Sequence, residues 1–346
     1  MRILCDRFSN ALFYILQGWQ DVFERLGHQW YWNLGMAPAF DIFSELEPDI
    51  YICNSDIDRA TAKCIAARPH MKVVVKGKNW GPSDDYIDTD VYPIDIATKE
   101  EKEAYMRLRD LCGKPDLVFN LYHKNRMEET MGYWDKNGVP TIDMQPAANH
   151  FRYYPVEPKD HLKSDISFIG GYWGYKGQNL SKYLIPLCLP IGKYNIKIFG
   201  KPWSVPQYLG APADDMINDI FCSAKICPNV SEPHANEFGF EVNERVFKLA
   251  ATKSFCLSDE IASLTEDIFT NEEMPVAGSP EEFMHSIDYF LEKEPEYRKD
   301  KAEQCYNTVM AGHTYCHRVS NLLSNLNMQG EADRAIQLLE EQLCHQ

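Results

Sequence analysis

The sequence predicts an α/β protein with two domains, each built on a doubly wound parallel sheet. Short apolar segments alternate with amphipathic helical patterns through the first half, and the alternation starts again after residue 164. Between the halves, residues 145–163 carry prolines and several aromatic side chains, which is typical of an interdomain connection. Strands that alternate with helices over short connections form parallel sheets covered on both faces. A length of 346 residues suits two such domains.

The first half contains six apolar segments of strand length and three helical patterns. In the first helix, Leu16, Trp19 and Phe23 recur on one side, and Gly27 follows its end. This spacing predicts that the helix packs one apolar face on the sheet. The predicted strands lie at residues 2–5, 29–32, 50–53, 71–75, 116–121 and 141–144, and the helices at 10–26, 100–111 and 125–136.

Polar side chains follow several of these strands, at the edge where doubly wound sheets bind their ligands. These polar turns contain Asp6, Asn54, Lys76 and His123. Because no glycine-rich loop follows the first strand, we do not expect this half to hold a diphosphate. His123 fits two interpretations equally well: it contacts a ligand, or it is a surface histidine that happens to follow a strand.

In the second half, a glycine-rich segment follows the strand predicted at residues 165–169. Residues 170–177 contain four glycines and Lys176, and a helix is predicted to follow at 178–187. Glycine lets backbone N–H groups approach an anion closely, and a lysine adds a point charge. Many strand–helix turns carry glycines, so this segment by itself is a weak signal for a phosphate site.

A polar loop and a helix start form a second candidate site within residues 228–260. A helix is predicted to open near Asn243, with Arg245 in its first turn. A helix N-terminus gathers unpaired N–H groups and the positive end of the helix dipole, and an arginine matches phosphate oxygens. For any single residue, an ordinary helix cap is the simpler interpretation. The loop's charged and polar groups suit sugar hydroxyls: Asn229, Glu232, His234, Asn236, Glu237 and Glu241.

The segment at residues 243–259, NERVFKLAATKSFCLSD, resembles the group 1 glycosyltransferases of the CgeB-like (spore-maturation-protein) branch. Shorter blocks at 169–171, 199–203, 280–283 and 313–318 are similar to the same family. The resemblance covers the C-terminal half well and the N-terminal half in outline. It implies a GT-B fold, in which two Rossmann-like domains face each other across a cleft and a C-terminal helix crosses back to the first domain.

The resemblance also implies roles for residues in both halves. The C-terminal domain would hold a nucleotide-sugar donor, and carboxylates would orient its sugar. The residues assigned to donor binding are Gly170, Gly171, Lys176, Gly200, Trp203, His234, Asn243, Glu244 and Arg245, and those assigned to catalysis are Glu237, Glu241 and His123. Trp203 would stack on the nucleotide base, although a core tryptophan is equally consistent with its position.

The chain departs from the family pattern at several positions. Lys248 stands where the family has the glutamate that holds the donor ribose, and Glu244, one turn earlier on the same helix face, is the candidate replacement. In the turn at residues 170–177, the family has a basic pair of an arginine and a lysine. Lys176 matches the lysine, but a glycine stands at the position of the arginine. Neither Glu237 nor Glu241 falls at the spacing of the family's first glutamate, so the catalytic residue and the stereochemical outcome stay open.

Together these features predict a metal-independent, retaining glycosyltransferase that moves a sugar from a nucleoside diphosphate to a glycan, protein or small-molecule acceptor. The predicted domains are residues 1–155 for the acceptor and 156–315 for the donor. Residues 316–346 are predicted to be terminal helices, at least one of which packs on the first domain. Two alternatives remain: a non-catalytic nucleotide-sugar binder on the same scaffold, or an enzyme that glycosylates nucleobases in DNA.

Composition bears on partners and compartment. With 35 basic and 51 acidic residues, the formal net charge is −16, which disfavours binding to nucleic acid and anionic membranes. The sequence has no apolar run of membrane-spanning length, and its eleven scattered cysteines favour reduced thiols in the cytoplasm. No cofactor is expected. Two motifs with metal-like spacing, Asp88-Thr89-Asp90 and the pair His313 and His317, are not expected to bind a metal.

Overall fold

The computed structural model describes residues 1–8, 10–77, 94–113 and 115–344. The chain forms two compact units. The first comprises Met1–Gln145 together with Tyr315–Gln346, and the second comprises Pro146–Thr314. Asp88-Thr89-Asp90 lies outside the described residues.

The first unit is built on a six-stranded sheet in which all the strands are parallel, in the order β2-β1-β3-β4-β5-β6. Its central strands are apolar along almost their whole length because helices cover both faces of a parallel sheet. The strands are β1 (Arg2–Asp6), β2 (Gln29–Asn33), β3 (Ile50–Asn54), β4 (Lys72–Lys76), β5 (Leu117–Asn120) and β6 (Thr141–Asp143). The helices are α1 (Asn10–Arg25), α2 (Ala39–Leu46), α3 (Arg59–Ala66), α4 (Ile94–Cys112) and α5 (Lys124–Lys136).

The second unit is built on a five-stranded parallel sheet in the order β11-β10-β9-β7-β8. Buried aliphatic and aromatic side chains from β7, β8 and β10 meet those of the flanking helices in one core. The strands are β7 (Ser164–Ile169), β8 (Ile196–Phe199), β9 (Ala224–Asn229), β10 (Cys256–Asp259) and β11 (Val276–Ala277). The helices are α6 (Gly174–Tyr183), α7 (Ile217–Cys222), α8 (Pro233–Phe238), α9 (Glu244–Ala251), α10 (Pro280–Glu292) and α11 (Pro295–Gly312).

The predicted pair of parallel Rossmann-like sheets is therefore confirmed, and the differences are local. Helix α6 begins at Gly174, four residues before the predicted start at 178, so Gly174 and Gly177 are helical. A Cβ at Gly177 would lie 2.8 Å from the ring of Tyr172. That glycine thus serves close packing, and the glycine-rich turn after β7 is reduced to Gly170 and Gly171.

Strand β9 was not predicted because Pro228, which has no N–H to donate to a sheet, interrupts its pattern. The structure shows how the proline is accommodated. The residue pairs between β9 and β7 end at Ile226, so Pro228 is paired only with Leu257 of β10. The polar loop consequently starts after Asn229.

The connection at residues 146–163 belongs to the second unit, so the division falls after Gln145 rather than after 155. Backbone groups of this segment bond to helix α7 and the residue after it. Arg152 O accepts from Asn218 Nδ2 at 2.9 Å, and Lys159 N donates to Ser223 Oγ at 2.8 Å. These bonds hold the connection on the second unit.

Two C-terminal helices, α12 (Tyr315–Asn325) and α13 (Gln329–Cys344), return the chain to the first unit. Helix α12 packs on α1, where the absence of a side chain at Gly18 makes room for the buried ring of Tyr315. Helix α13 is tied to the turn after α1 because Arg334 Nη2 donates to Leu26 O at 2.7 Å. None of the helices in the described part of the chain is both long and apolar enough to cross a membrane.

Replacing Gly18 by alanine should destabilise the first unit. The new Cβ would lie 2.2 Å from Cδ2 of Tyr315, so the α1–α12 contact must open. We expect a loss of about 1–3 kcal/mol in the free energy of unfolding, measured by urea denaturation. Gly330→Ala in α13 is the matched control, because nothing lies within 4 Å of the added Cβ. Equal stability of the two variants would contradict this account of the interface.

Candidate functional site

The side chain of Arg245 lies at the carboxyl ends of β7 and β9 in the second unit. Its Nε donates to Ile169 O at 3.1 Å, and its Nη1 donates to Asn229 Oδ1 at 3.0 Å. The guanidinium also lies over the ring of Phe168, 4.4 Å from its centroid. Burial lowers the pKa of Arg245, but an arginine still carries its charge at neutral pH. A fixed positive charge therefore stands at the edge where parallel sheets bind ligands.

Two glycines bring the backbone close to this charge. A Cβ at Gly170 would lie 2.7 Å from Arg245 Nη2, so a larger residue would displace the guanidinium. At Gly200 the backbone has a φ of +120°, and a Cβ would lie 2.2 Å from Gly170 O. Only glycine fits this conformation and this approach. Both glycines are thus needed for the shape of the site.

Trp203 belongs to the core, which agrees with the second of the two interpretations offered for it. The side chain is 7% exposed and lies in the hydrophobic cluster beneath the sheet. Its Nε1 donates to Gly170 O at 2.9 Å, and its ring meets Phe168 edge to face. Trp203 therefore supports the turn after β7 from behind, and the expected stacking on a base is not favoured.

Lys201 is a cation whose role the sequence did not indicate. It is exposed, and its side-chain carbons lie against Gly171, where a Cβ would meet them at 3.4–3.7 Å. Among the described residues it forms no ion pair with a carboxylate. The only sequence signal was its place after Gly200, in a turn that also carries a proline and a tryptophan. The side chain of Lys201 therefore packs against the turn that Arg245 touches, and no carboxylate of the described residues pairs with its ammonium.

Lys176, in contrast, is buried and already paired. Its Nζ lies 2.9 Å from Glu232 Oε1. Burial lowers the pKa of Lys176, with the charge of Arg245 adding to the effect. Burial alone would raise the pKa of Glu232, but Lys176 outweighs it and the pKa of Glu232 is lowered. The two side chains form a salt bridge, and Arg245 lies close enough to influence both.

His234 and Glu241 form a second pair on the same loop. His234 Nε2 lies 2.7 Å from Glu241 Oε2, and the histidine is buried while the carboxylate is partly exposed. Burial alone would lower the pKa of His234, but Glu241 raises it above the ordinary value of 6.5. Glu237 is exposed on α8. The loop therefore presents two accessible carboxylates, as expected for a surface that accepts hydrogen bonds from hydroxyl groups.

The start of helix α9 differs from an ordinary capped terminus. Asn243 occupies the cap position, but its side chain does not accept a backbone N–H. Its Nδ2 donates instead to Ser231 Oγ at 3.2 Å. One turn on, Glu244 Oε2 lies 2.7 Å from Lys248 Nζ, and both side chains are largely buried. Lys248, which stands where the family pattern has a glutamate, is therefore paired with Glu244 one turn earlier.

Asp259, which sequence reasoning missed, holds the polar loop in place. It is fully buried at the end of β10 and accepts bonds from Ser231 N at 2.8 Å, Ser231 Oγ at 3.0 Å and Asn236 Nδ2 at 3.0 Å. Asn236 in turn accepts from Asn179 Nδ2 of α6 at 2.6 Å. Burial raises the pKa of Asp259. An acidic residue two positions after the apolar run Phe255-Cys256-Leu257 was the available signal.

The structure therefore brings together most of the residues predicted from the second half. Gly170, Gly171, Gly200, Asn243 and Arg245 surround one edge of the sheet, and the loop residues line the adjacent surface. His123 lies in the first unit, after β5, and is half-buried. Within the described ranges, no three or more His, Cys, Asp or Glu side chains are grouped so that they could hold a metal ion.

Comparisons with known proteins bear on what such a site does. A family model described as glycosyl transferase-like matches residues 186–324. No curated protein sequence matches the chain. The match covers most of the second unit and helix α12, and it supports a glycosyltransferase.

Several solved structures have the same fold over nearly the whole chain. A glycosyltransferase from Rickettsia africae is 14% identical with a TM-score of 0.63, covering 96% of this chain and 98% of its own. An Anabaena protein, HepE, solved in complex with UDP-glucose, is 11% identical with a TM-score of 0.59 and covers 94% and 99%. An α-glucosyltransferase in complex with UDP-glucose and DNA is 12% identical with a TM-score of 0.61 and covers 93% and 98%. These matches show that the chain has the GT-B fold.

The His234–Glu241 pair predicts a pH-dependent contribution to stability. Because Glu241 raises the pKa of His234, the pair stabilises the fold below the ordinary histidine value of 6.5, and this contribution is lost as the pH rises through the raised pKa. Glu241→Gln should therefore be less stable than the wild type at low pH and nearly equal well above that range. Urea denaturation at several pH values measures the difference.

The exposed Glu237→Gln is the matched control for this experiment, since that carboxylate lies on α8 close to the pair but makes no hydrogen bond to the histidine. It should show little pH-dependent difference from the wild type. A difference between wild type and Glu241→Gln that stays constant with pH would refute the pairing.

Proposed function

We propose that this protein is a glycosyltransferase that transfers a sugar from a nucleoside diphosphate to a hydroxyl acceptor, and that the second unit binds the donor. The observation that carries the proposal is the position of Arg245. Its half-buried guanidinium, the glycines beside it and the exposed side chain of Lys201 lie at the carboxyl ends of β7, β8 and β9. A diphosphate needs this combination of fixed charge, mobile charge and bare backbone.

The same groups would assist the reaction. When the bond between sugar and diphosphate breaks, negative charge develops on the leaving phosphate oxygens. Arg245 and Lys201, with the start of helix α9, lie where they would stabilise that charge, and Lys176 would join them if its ion pair with Glu232 relaxes. Glu237 and Glu241 would accept hydrogen bonds from the sugar hydroxyls.

We propose that transfer retains the configuration of the sugar, in which case no dedicated protein base is needed. The first unit would then bind the acceptor. Should the enzyme invert configuration, a proton acceptor is required, and Asp6, Asp56 and His123 are the candidates near strand ends of the first sheet. Asp6 is held by two bonds, since its Oδ1 accepts from Asn33 Nδ2 at 2.8 Å and from Tyr51 OH at 2.9 Å.

Within the glycosyltransferases, we assign the chain to the CgeB-like branch on the strength of residues 243–259. The pair Glu244 and Lys248 bears on that assignment. Because Lys248 binds Glu244, this carboxylate is not free to replace the missing ribose ligand without a rearrangement. We therefore expect ribose recognition to involve other groups. The eleven free cysteines favour a reducing compartment, which we propose is the cytoplasm.

Two alternative functions are weaker. The structural similarity to an α-glucosyltransferase solved with DNA raises the possibility of a DNA substrate for this chain, but at 12% identity that likeness concerns the fold. A net charge of −16 opposes binding to a polyanion. A non-catalytic binder would share the donor site, and it would bind nucleotide sugars without releasing the nucleoside diphosphate.

Lys201→Ala should weaken the binding of a nucleoside diphosphate. The side chain is exposed and unpaired, so its removal should leave the fold intact while one charge-assisted contact is lost. We expect about a tenfold or greater fall in affinity for UDP or GDP, whichever binds the wild type, measured by titration calorimetry. Lys182→Ala, which removes an exposed lysine from the last turn of α6, is the control and should bind normally. Unchanged affinity in Lys201→Ala would count against this site.

We expect the protein to bind its donor and transfer the sugar without a metal ion. Because the proposed diphosphate ligands are arginine, lysine and backbone N–H groups, a chelator should leave both donor binding and transfer unchanged. The measurement is release of nucleoside diphosphate from a panel of nucleotide sugars, with and without EDTA. Loss of activity that Mg²⁺ or Mn²⁺ restores would overturn this part of the proposal.

A further inference from the structure

The side chain of Trp173 stands out at the entrance to helix α6. It is 49% exposed and occupies the cap position of the helix in an extended conformation, without capping it. Among the described residues, no acceptor is present for its indole N–H. A single exposed tryptophan is not informative by itself. What distinguishes this one is the set of groups behind it and beside it.

Behind Trp173, the aromatic rings continue into the interior as a ladder. The centroid of its ring lies 5.7 Å from that of Tyr175, which in turn lies 5.7 Å from that of His234 in a stacked arrangement. Tyr175 and His234 are both buried, and Tyr175 OH accepts from His234 N at 3.0 Å. The exposed ring is therefore supported by fixed neighbours, so a ligand that packs on it meets a surface that is already ordered.

Along the chain, Trp173 lies between two parts of the proposed donor site. It is three residues after Gly170, which Arg245 touches, and three residues before Lys176. Three residues of extended chain reach at most about 11 Å, so the backbone of Trp173 lies within that distance of Gly170 and Lys176. On the other side, the ladder ends at His234, whose Nε2 lies 2.7 Å from Glu241.

These neighbours match the chemistry of a sugar ring. A pyranose has a face of C–H groups, which packs on a flat aromatic surface, and a rim of hydroxyls, which bind carboxylates and N–H donors. Trp173 supplies the flat surface and the unused N–H, and Glu241 and Glu237 supply accessible carboxylates. The sugar is joined directly to the diphosphate, whereas a base is separated from it by the ribose. The sugar is therefore the group that this combination of an aromatic surface and carboxylates favours.

We infer that Trp173 is the platform on which the sugar ring of the nucleotide-sugar donor packs. The inference rests on the proposed function and makes it more specific, because it assigns one part of the site to the diphosphate and another part to the sugar. Arg245 and Lys201 bind the diphosphate, and Trp173 with the loop carboxylates binds the sugar. Trp173 is thus a specificity-determining residue for the sugar and not for the nucleotide.

The test compares ligands with and without the sugar. Affinities for UDP and UDP-glucose, or for GDP and GDP-glucose if only the guanine nucleotide binds, are measured by calorimetry on wild type, Trp173→Ala and Trp173→Phe. Loss of one aromatic stacking contact should weaken binding of the sugar nucleotide by about 3- to 10-fold in Trp173→Ala, with the free diphosphate unaffected. Trp173→Phe should recover part of the loss. Tyr289→Ala, which removes an equally exposed aromatic from α10, is the control.

Three results would overturn the inference. An equal loss of affinity for both ligands in Trp173→Ala would indicate a nucleotide contact or a structural role. No loss for either ligand would show that the ring is not used. If the wild type binds neither nucleoside diphosphate nor its sugar conjugate, then the proposed function fails as well. That outcome is distinct from the first two, because in those the wild type binds its donor.

Discussion

The placement of one half-buried guanidinium determines much of the second unit. Arg245 reaches from helix α9 to the ends of two strands and bonds to a carbonyl of β7 and a side chain of β9. A buried cation is unstable without partners, so the structure around it is constrained. Phe168 must offer its ring face, and Gly170 must have no side chain. Gly200 must then adopt a positive φ to pass the carbonyl of Gly170.

The polar loop after β9 depends on a different constraint, the buried carboxylate of Asp259. A carboxylate in this position is tolerated because Ser231 and Asn236 donate to it. Those same bonds fix the loop in the conformation that presents Glu232 to Lys176 and His234 to Glu241. The charges at the sheet edge are therefore ordered before any ligand arrives. This lowers the reorganisation needed on binding and favours selective recognition.

Sequence reasoning found the parts of this site that local patterns encode. The alternation of strands and helices predicted both sheets, and the segment around Arg245 predicted an anion site, which stays a proposal. It did not find Lys201, because its contact with Gly171 joins two strand ends that are distant in sequence. Nor could it decide the role of Trp203, since an indole that supports a turn and one that stacks on a ligand have the same local sequence. Strand β9 was missed because Pro228 broke its pattern.

Some cations near the sheet edge are paired with carboxylates and others are not, and this difference bears on how a donor would be recognised. Lys176 is neutralised by Glu232, and Lys248 is neutralised by Glu244, so Arg245 and Lys201 provide the uncompensated charge. Two such charges suit the two phosphates of a diphosphate, and the remaining side of the loop is acidic. A second phosphate group in place of the sugar would meet Glu237 and Glu241 and be repelled. The arrangement therefore favours a neutral group on the diphosphate, which agrees with a sugar packed on Trp173.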